Sequence, residues 1–303
     1  MDFRKLAYIV EVAKEGSVTA AASKLYISQP ALSQILAQVE KEVGIKLFDR
    51  KETPMRLTYA GELYLATAKE ILTEYETLKR RLLDVAEGEE GQIKLGIPVE
   101  RAGYMLPEVL KLFQNRFPKV NLILEENSGK TILSKLKNHE VDLVILPKIE
   151  KNFGADFETR LIYEEELFIV SSKPLAEAID GVHIETKSLQ HYPFILVKEG
   201  HAIRNRTNSI FETAGITPHV LIETTSNLTA VQMVQSGLGL AIVPKRTVDV
   251  LSSKGSLYTY SIGKGKETWD VDVIYLKGHY FTRSEEYLIA LMQVKFKQLI
   301  PER

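Results

Sequence analysis

From residue 3 to residue 44 the apolar positions recur with a helical period three times over. Phe3, Leu6, Ala7, Ile9, Val10, Val12 and Ala13 predict a first amphipathic helix. Ser17, a helix-capping type, precedes Val18, Ala21, Ala22 and Leu25, one apolar face of a helix about two turns long. Ser28 caps a third helix, with Pro30 in its first turn, where a missing N–H costs nothing. Leu32, Ile35, Leu36, Val39 and Val43 then follow at i, i+3, i+4, i+7 and i+11. Gly44 ends that helix. Two strand-like pieces, Lys46–Arg50 and Met55–Thr58, flank a turn at Glu52–Pro54. Two helices joined by a tight turn, braced by a first helix and followed by a short ribbon, outline a winged helix-turn-helix.

Beyond Thr58, itself a capping residue, neither Pro nor Gly occurs between Gly61 and Gly88. Tyr64, Ala68, Ile71, Tyr75, Leu78, Leu82 and Val85 alternate steps of four and three, the heptad seam of a long helix that predicts pairing with a second chain. EGEEGQ, residues 87–92, reads as a linker. After it the pattern turns to alternating strands and helices. Strands are predicted at Ile93–Pro98, Val120–Glu125, Asp142–Leu146, Leu167–Ser171, Phe194–Val197, Val220–Glu223, Leu240–Val243 and Val271–Leu276. Helices are predicted at Tyr104–Phe117, Thr131–Asn138, Ile203–Ala214, Leu228–Gln235 and Ser284–Leu299. Such alternation implies an α/β architecture with largely parallel sheets.

Composition narrows the class. With 45% apolar and 26% charged residues in 303, the chain is an ordinary globular one, long enough for more than one core. Residues 1–58 hold nine Lys/Arg against seven Asp/Glu, a balance that permits nucleic-acid binding without demanding it. The absence of cysteine excludes thiol chemistry and disulfides and fits a reducing compartment. No run approaches the roughly 20 apolar residues of a membrane span, and MDFRKLAY has no signal-peptide core, so a cytoplasmic protein without membrane contact is expected.

The polar face of the third helix carries Ser28, Gln29, Pro30, Ser33, Gln34 and Gln38, whose neutral donors and acceptors suit base edges in a major groove. Arg50, Lys51 and Arg56, with Lys46, cluster on the ribbon and suit phosphates. The opening F-x-x-L-x-Y-I-V-E-V-A, then GSVTAAASKLYISQPALSQ, LFDR and LTYAG, in order and at the same spacing, resemble the LysR-type family of bacterial transcriptional regulators. The resemblance implies that Gln29, Pro30, Ser33 and Gln34 face the groove. It departs from the family habit of a basic residue at Gln34 and at Ala37, which shifts phosphate anchoring to the wing and to Arg4, Lys5 and Lys24. It also implies dimerisation through the linker helix, assembly of four chains, RNA polymerase as a further partner, and a two-lobed effector domain like a periplasmic binding protein. The expected division is 1–58 for the winged domain, 59–87 for the linker helix and 91–303 for the effector domain. Lobe I would hold 91–163 and 267–303 and lobe II 164–266, with hinge crossings near Tyr163–Glu166 and Lys264–Glu267.

Ligands of open parallel sheets bind beyond the strands' carboxyl ends. Five loops qualify there: Pro98–Glu100–Arg101, Ser128–Gly129–Lys130–Thr131, Pro147–Lys148, Glu199–Gly200–His201–Ala202 leading to Arg204, and Thr225–Ser226–Asn227. The Ser128 and Ser226 loops open helices, so free backbone N–H groups and the positive end of a helix dipole favour a carboxylate, with Lys130 and Arg204 as cations and Glu100 as a partner for an amine. Glu100–Arg101 and Gly129–Lys130 replace hydroxyl residues common in the family. The six histidines show no metal-ligand spacing, no G-x-S-x-G occurs, and Gly263–Lys264–Gly265–Lys266 lacks a P-loop's spacing, so no catalytic residue, cofactor or metal is assigned. The rival reading, a solute-binding or enzymatic α/β domain with an unrelated helical appendage, would need a signal sequence or a catalytic constellation.

Overall fold

The computed structural model describes residues 2–49, 54–85, 90–148, 153–251, 257–263 and 267–297, without the side chains of 80, 81, 83–85 and 251. The chain divides into two compact units, Met1–Ala86 and Glu87–Arg303.

The first unit runs α1 (Phe3–Glu15), α2 (Val18–Lys24), α3 (Gln29–Val43), β1 (Phe48–Asp49), β2 (Arg56–Leu57) and α4 (Tyr59–Val85). Ser17 and Ser28 cap α2 and α3 by accepting from the amides of Ala20 and Ala31. The apolar stripes meet in one core of Ile9, Val12, Ala21, Ala22, Leu32, Leu36, Val39, Leu47 and Phe48. Gly16 ends α1 in the left-handed region at φ 60°, and a Cβ there would stand 2.9 Å from Pro54 Cβ. Its carbonyl accepts from Met55 N at 2.9 Å, which ties the end of α1 to the wing. Gly61 is needed for a different reason: a Cβ would overlap the Leu47 carbonyl, where the first turn of α4 crosses the ribbon.

The heptad seam of α4 meets its own domain over its first half, a correction to the expectation that all of it faces a second chain. Ala68 is buried, Tyr64 packs onto the core, and the Tyr75 ring stacks on Phe3 at 4.2 Å between centroids. Heptad spacing reports that a stripe exists and is silent about what covers it. Leu78 and Leu82 are 50% and 60% exposed, and the side chain of Val85 lies outside the described residues.

The second unit continues with β3 (Glu90–Ile97), α5 (Val99–Arg116), β4 (Lys119–Glu126), α6 (Gly129–Lys137), β5 (Leu143–Pro147), β6 (Phe157–Ser171), β7 (His183–Ile184), β8 (Pro193–Val197), α7 (Ala202–Ala214) and β9 (His219–Thr224). It closes with α8 (Asn227–Gln235), β10 (Ala241–Pro244), α9 (Lys245–Leu251), β11 (Tyr258–Ile262), β12 (Thr268–Leu276) and α10 (Arg283–Lys297). Strand β3 pairs in parallel with β4 and β5. Strand β12 pairs antiparallel with both β5 and β6, so the sheets are mixed rather than largely parallel. Strand β6 is the spine: Phe157–Glu166 pairs with β12, and Leu167–Ser171 passes on to β10 and β11. Its first half, with β7, β11 and α9, escapes the sequence reading, and Glu164–Glu166 marks the change of partners. Of the second predicted crossing, residues 264–266 lie outside the described residues. Helix α5 starts at Val99, five residues before its predicted start, which places Glu100 and Arg101 in a first turn rather than in a loop.

Candidate DNA-binding face and effector cleft

On α3 the buried stripe of Leu32, Leu36 and Val39 leaves Gln29, Pro30, Gln34 and Gln38 exposed and Ser33 half-exposed. Gln29 and Ser33, and Pro30 and Gln34, lie one turn apart and therefore share a face. Gln38 donates to Glu42 Oε1 at 3.0 Å, so its amide is engaged within the helix. Ser28 is occupied by its cap. Arg56 stands exposed on β2, whereas Arg50 and Lys51 lie outside the described residues.

Several nearby cations already carry an acid: Lys5 bonds Glu42 at 2.7 Å, Lys24 bonds Glu15 at 2.5 Å, and Lys46 bonds Glu40 at 2.8 Å. Glu40, buried near the end of α3, also accepts from the amides of Leu47 and Phe48 and so binds the recognition helix to the root of the wing. Burial pushes its carboxyl up, but the Lys46 ammonium and the two amides outweigh burial and hold it below the usual range. Sequence reading passed over Glu40, although an acid inside an apolar stripe, beside Val39, was the available signal.

In the second unit, Pro98 caps α5 without a side-chain bond, and the two charges behind it separate. Arg101 turns inward, correcting its assignment to the cleft: Nη1 donates to Tyr163 Oη at 2.6 Å and Nη2 to Glu165 Oε2 at 3.1 Å, all three residues buried. Trp269 Nε1 donates to the same carboxylate oxygen at 3.0 Å, while Glu165 Oε1 is buried without a partner. Burial raises the Tyr163 phenol to about 12, keeping it neutral at ordinary pH. Glu100 turns the other way. Its Oε1 accepts from Ser226 Oγ at 2.6 Å and Leu228 N at 3.3 Å, and its Oε2 from Asn227 Nδ2 at 2.9 Å. The first turns of α5 and α8 are thus joined, and Glu100 and the Ser226 loop, both predicted for the site, do come together.

Arg204 does not line the cleft either. Its guanidinium donates to Asn208, the Val197 carbonyl and Glu223 and pairs with Glu199, fastening α7 to the ends of β8 and β9. Arg206, which the sequence reading missed, takes the place expected for it. With Lys148, Thr268, Trp269 and Asp270 it lines a cavity of about 220 Å³ beside the point where β6 changes partners. Arg206 Nη2 donates to Glu267 Oε2 at 2.6 Å, and its Nε is buried without an acceptor. Ser128 accepts from Thr131 N at 3.4 Å and shares a hydrogen bond with Thr131 Oγ1, capping α6. Gly129 and Thr131 are half-buried, Lys130 and Thr225 exposed, and His201 begins α7 without a side-chain cap. Among the described residues no group of acids and histidines could hold a metal ion, and no helix is long and apolar enough to cross a membrane.

Residues 3–62 match the family described as bacterial regulatory helix-turn-helix protein, lysR family, and residues 86–296 match the LysR substrate binding domain. The HTH-type transcriptional regulator BsdA of Bacillus subtilis is 30% identical over 82% of this chain and 86% of its own. The nitrogen assimilation regulatory protein nac of Escherichia coli is 30% identical over 81% and 79%. Among solved structures, a full-length OxyR from Pseudomonas aeruginosa, in a form with one cysteine replaced by aspartate, superposes with a TM-score of 0.78 at 23% identity, covering 97% of this chain and 95% of that one. Full-length CbnR complexed with its target DNA gives 0.65 at 20% identity, over 97% and 100%. The effector binding domain of QuiR in complex with shikimate gives 0.59 at 22%, over 69% and 99%. These structural likenesses extend to the fold; the cysteine substituted in that OxyR has no counterpart in a chain without cysteine. With a winged helix-turn-helix at one end, an α/β effector-binding domain at the other and both family matches in place, the chain belongs to the LysR family of DNA-binding transcriptional regulators.

Proposed function

We propose that this regulator responds to a small carboxylate held at the hinge cavity by Lys148 and Arg206, and that occupancy there biases promoter binding by an oligomer of the chain. The supporting observation is a cavity lined by two cations, Lys148 and Arg206, the second of which also holds a buried Nε–H with no acceptor. An unpaired buried donor on a charged group is costly, and a carboxylate is the acceptor that removes the cost most fully. Asp270 on the same wall suits an amine, so amino acids fall within the class. QuiR, of the same fold, is solved with shikimate, itself a carboxylate. The chain acts in the cytoplasm as a homodimer through α4, four chains in all, on double-stranded promoter DNA and with RNA polymerase; no catalytic role is assigned to it. A ligand shifts an oligomer between arrangements only through a difference in affinity, which cleft occupancy supplies.

The test is thermal unfolding of the full chain against carboxylates and their neutral amides. A ligand at a hundred times its Kd adds about 2.7 kcal/mol, so carboxylates should raise Tm by several degrees, and Arg206→Gln or Lys148→Gln should abolish the shift. Equal stabilisation by the amides, undiminished in either variant, would reject the reading.

A further inference from the structure

We infer that Glu100 is a tethered carboxylate that occupies the start of α8 and clasps it to α5, so that a free carboxylate reaching this helix end must displace it. The inference rests on the carboxylate reading only for the displacing molecule; the clasp itself rests on the hydrogen bonds.

Glu100 belongs to the first turn of α5, and its three contacts are the hydroxyl of the α8 cap, the side chain of the first α8 residue and the main-chain N–H of the second. Those donors are the groups a helix start offers to an anion. Three main-chain amides of this first turn have partners: Leu228 N goes to Glu100, Thr229 N to Ser226 Oγ at 3.1 Å, and Ala230 N to the Ser226 carbonyl at 3.1 Å. The carboxylate also lies at the positive ends of two helices at once, its own α5 and α8. The segments it joins are 126 residues apart and belong to the two groups of strands that β6 connects. The clasp has a built-in flaw. Asn227 gives its Nδ2 to Glu100, and its Oδ1 is left buried with no donor. A closed state that strands a polar atom is one that a better-matched group can displace.

Acetate, the carboxylate of Glu100 without its tether, is the probe, applied to the full-length chain. In Glu100→Ala the Leu228 amide should exchange hydrogen roughly tenfold faster or more, the loss expected for a charge-assisted bond, and Tm should fall. Acetate at tens of millimolar, above an equal chloride control, should restore both in Glu100→Ala while leaving the native chain unmoved. Glu100→Ala/Ser226→Ala should not be restored. Glu100→Gln keeps the shape and loses the charge, so it should show an intermediate exchange rate and answer weakly to acetate. Unchanged Leu228 exchange in Glu100→Ala overturns the clasp. Rescue that is absent, or equal in the native chain, overturns displacement. If the clasp holds but no larger carboxylate acts at Arg206, the effector reading fails alone.

Discussion

Glu40 has its carboxylate buried on α3, where it accepts from the Leu47 and Phe48 amides, while its partner Lys46 is 72% exposed, so solvent screens the ion pair more than the amide bonds. Glu40→Gln keeps one acceptor and loses the charge, which should cost about 1–3 kcal/mol of winged-domain stability. The sign of its pH dependence follows from the lowered carboxyl. A folded-state value below the unfolded one gives stability that is present above the unfolded value and lost as pH falls through the folded one. Melting curves of the native chain and Glu40→Gln should therefore differ at pH 7, and the gap should shrink as pH falls below the ordinary glutamate value of about 4.3; a gap that stays constant into acid would assign Glu40 a purely steric role. Residue identity at this site was legible, and direction was not. Glu100 and Arg101 are neighbours about 100° apart on a helix, and one reaches across to α8 while the other is consumed by Tyr163 and Glu165. Arg204 and Arg206 exchange roles for the same reason. A charged residue's type does not say which neighbour will claim it.

At the scale of elements, every helix with a cap and a periodic stripe could be read from the chain, including α2 and α3 with Ser17 and Ser28. What escaped were segments whose pattern is set by pairing rather than by burial. Phe157–Glu166 carries Glu158 and Glu164–Glu166, too acidic to read as a strand, yet its ladder with β12 runs its whole length. The recognition helix carries its own test. Gln29 and Ser33 share its open face, the first exposed and the second half-exposed. Replacing both with Ala should weaken cognate binding by about 1–3 kcal/mol per base pair no longer read, leaving random duplex nearly unaffected, as gel retardation at fixed salt would show. Equal loss on both duplexes would mean that this face only meets phosphates.

For the whole molecule, what matters is which surface joins the copies, and α4 bears on it. Its 27 residues span about 40 Å, of which the stretch to Tyr75 is engaged by α1 and the wing domain. Leu78 and Leu82 continue the same stripe and stand exposed, four residues apart. An open groove of about 390 Å³ beside the first half, lined by Val43, Ile45 and Leu63 among others, adds apolar surface on the same domain. Already half covered, two leucines one turn apart contribute about half of the roughly 1.5–3 kcal/mol of a full burial each when covered, twice over in a symmetric pair, whereas a carboxylate in that seam goes unpaired at a cost of several kcal/mol. Leu78→Glu should therefore halve the assembly mass seen by light scattering. It should also weaken binding to a duplex bearing two half-sites far more than to one bearing a single half-site, because the tether between the two winged domains is lost. An unchanged mass with unchanged affinity would mean that the copies meet through another surface.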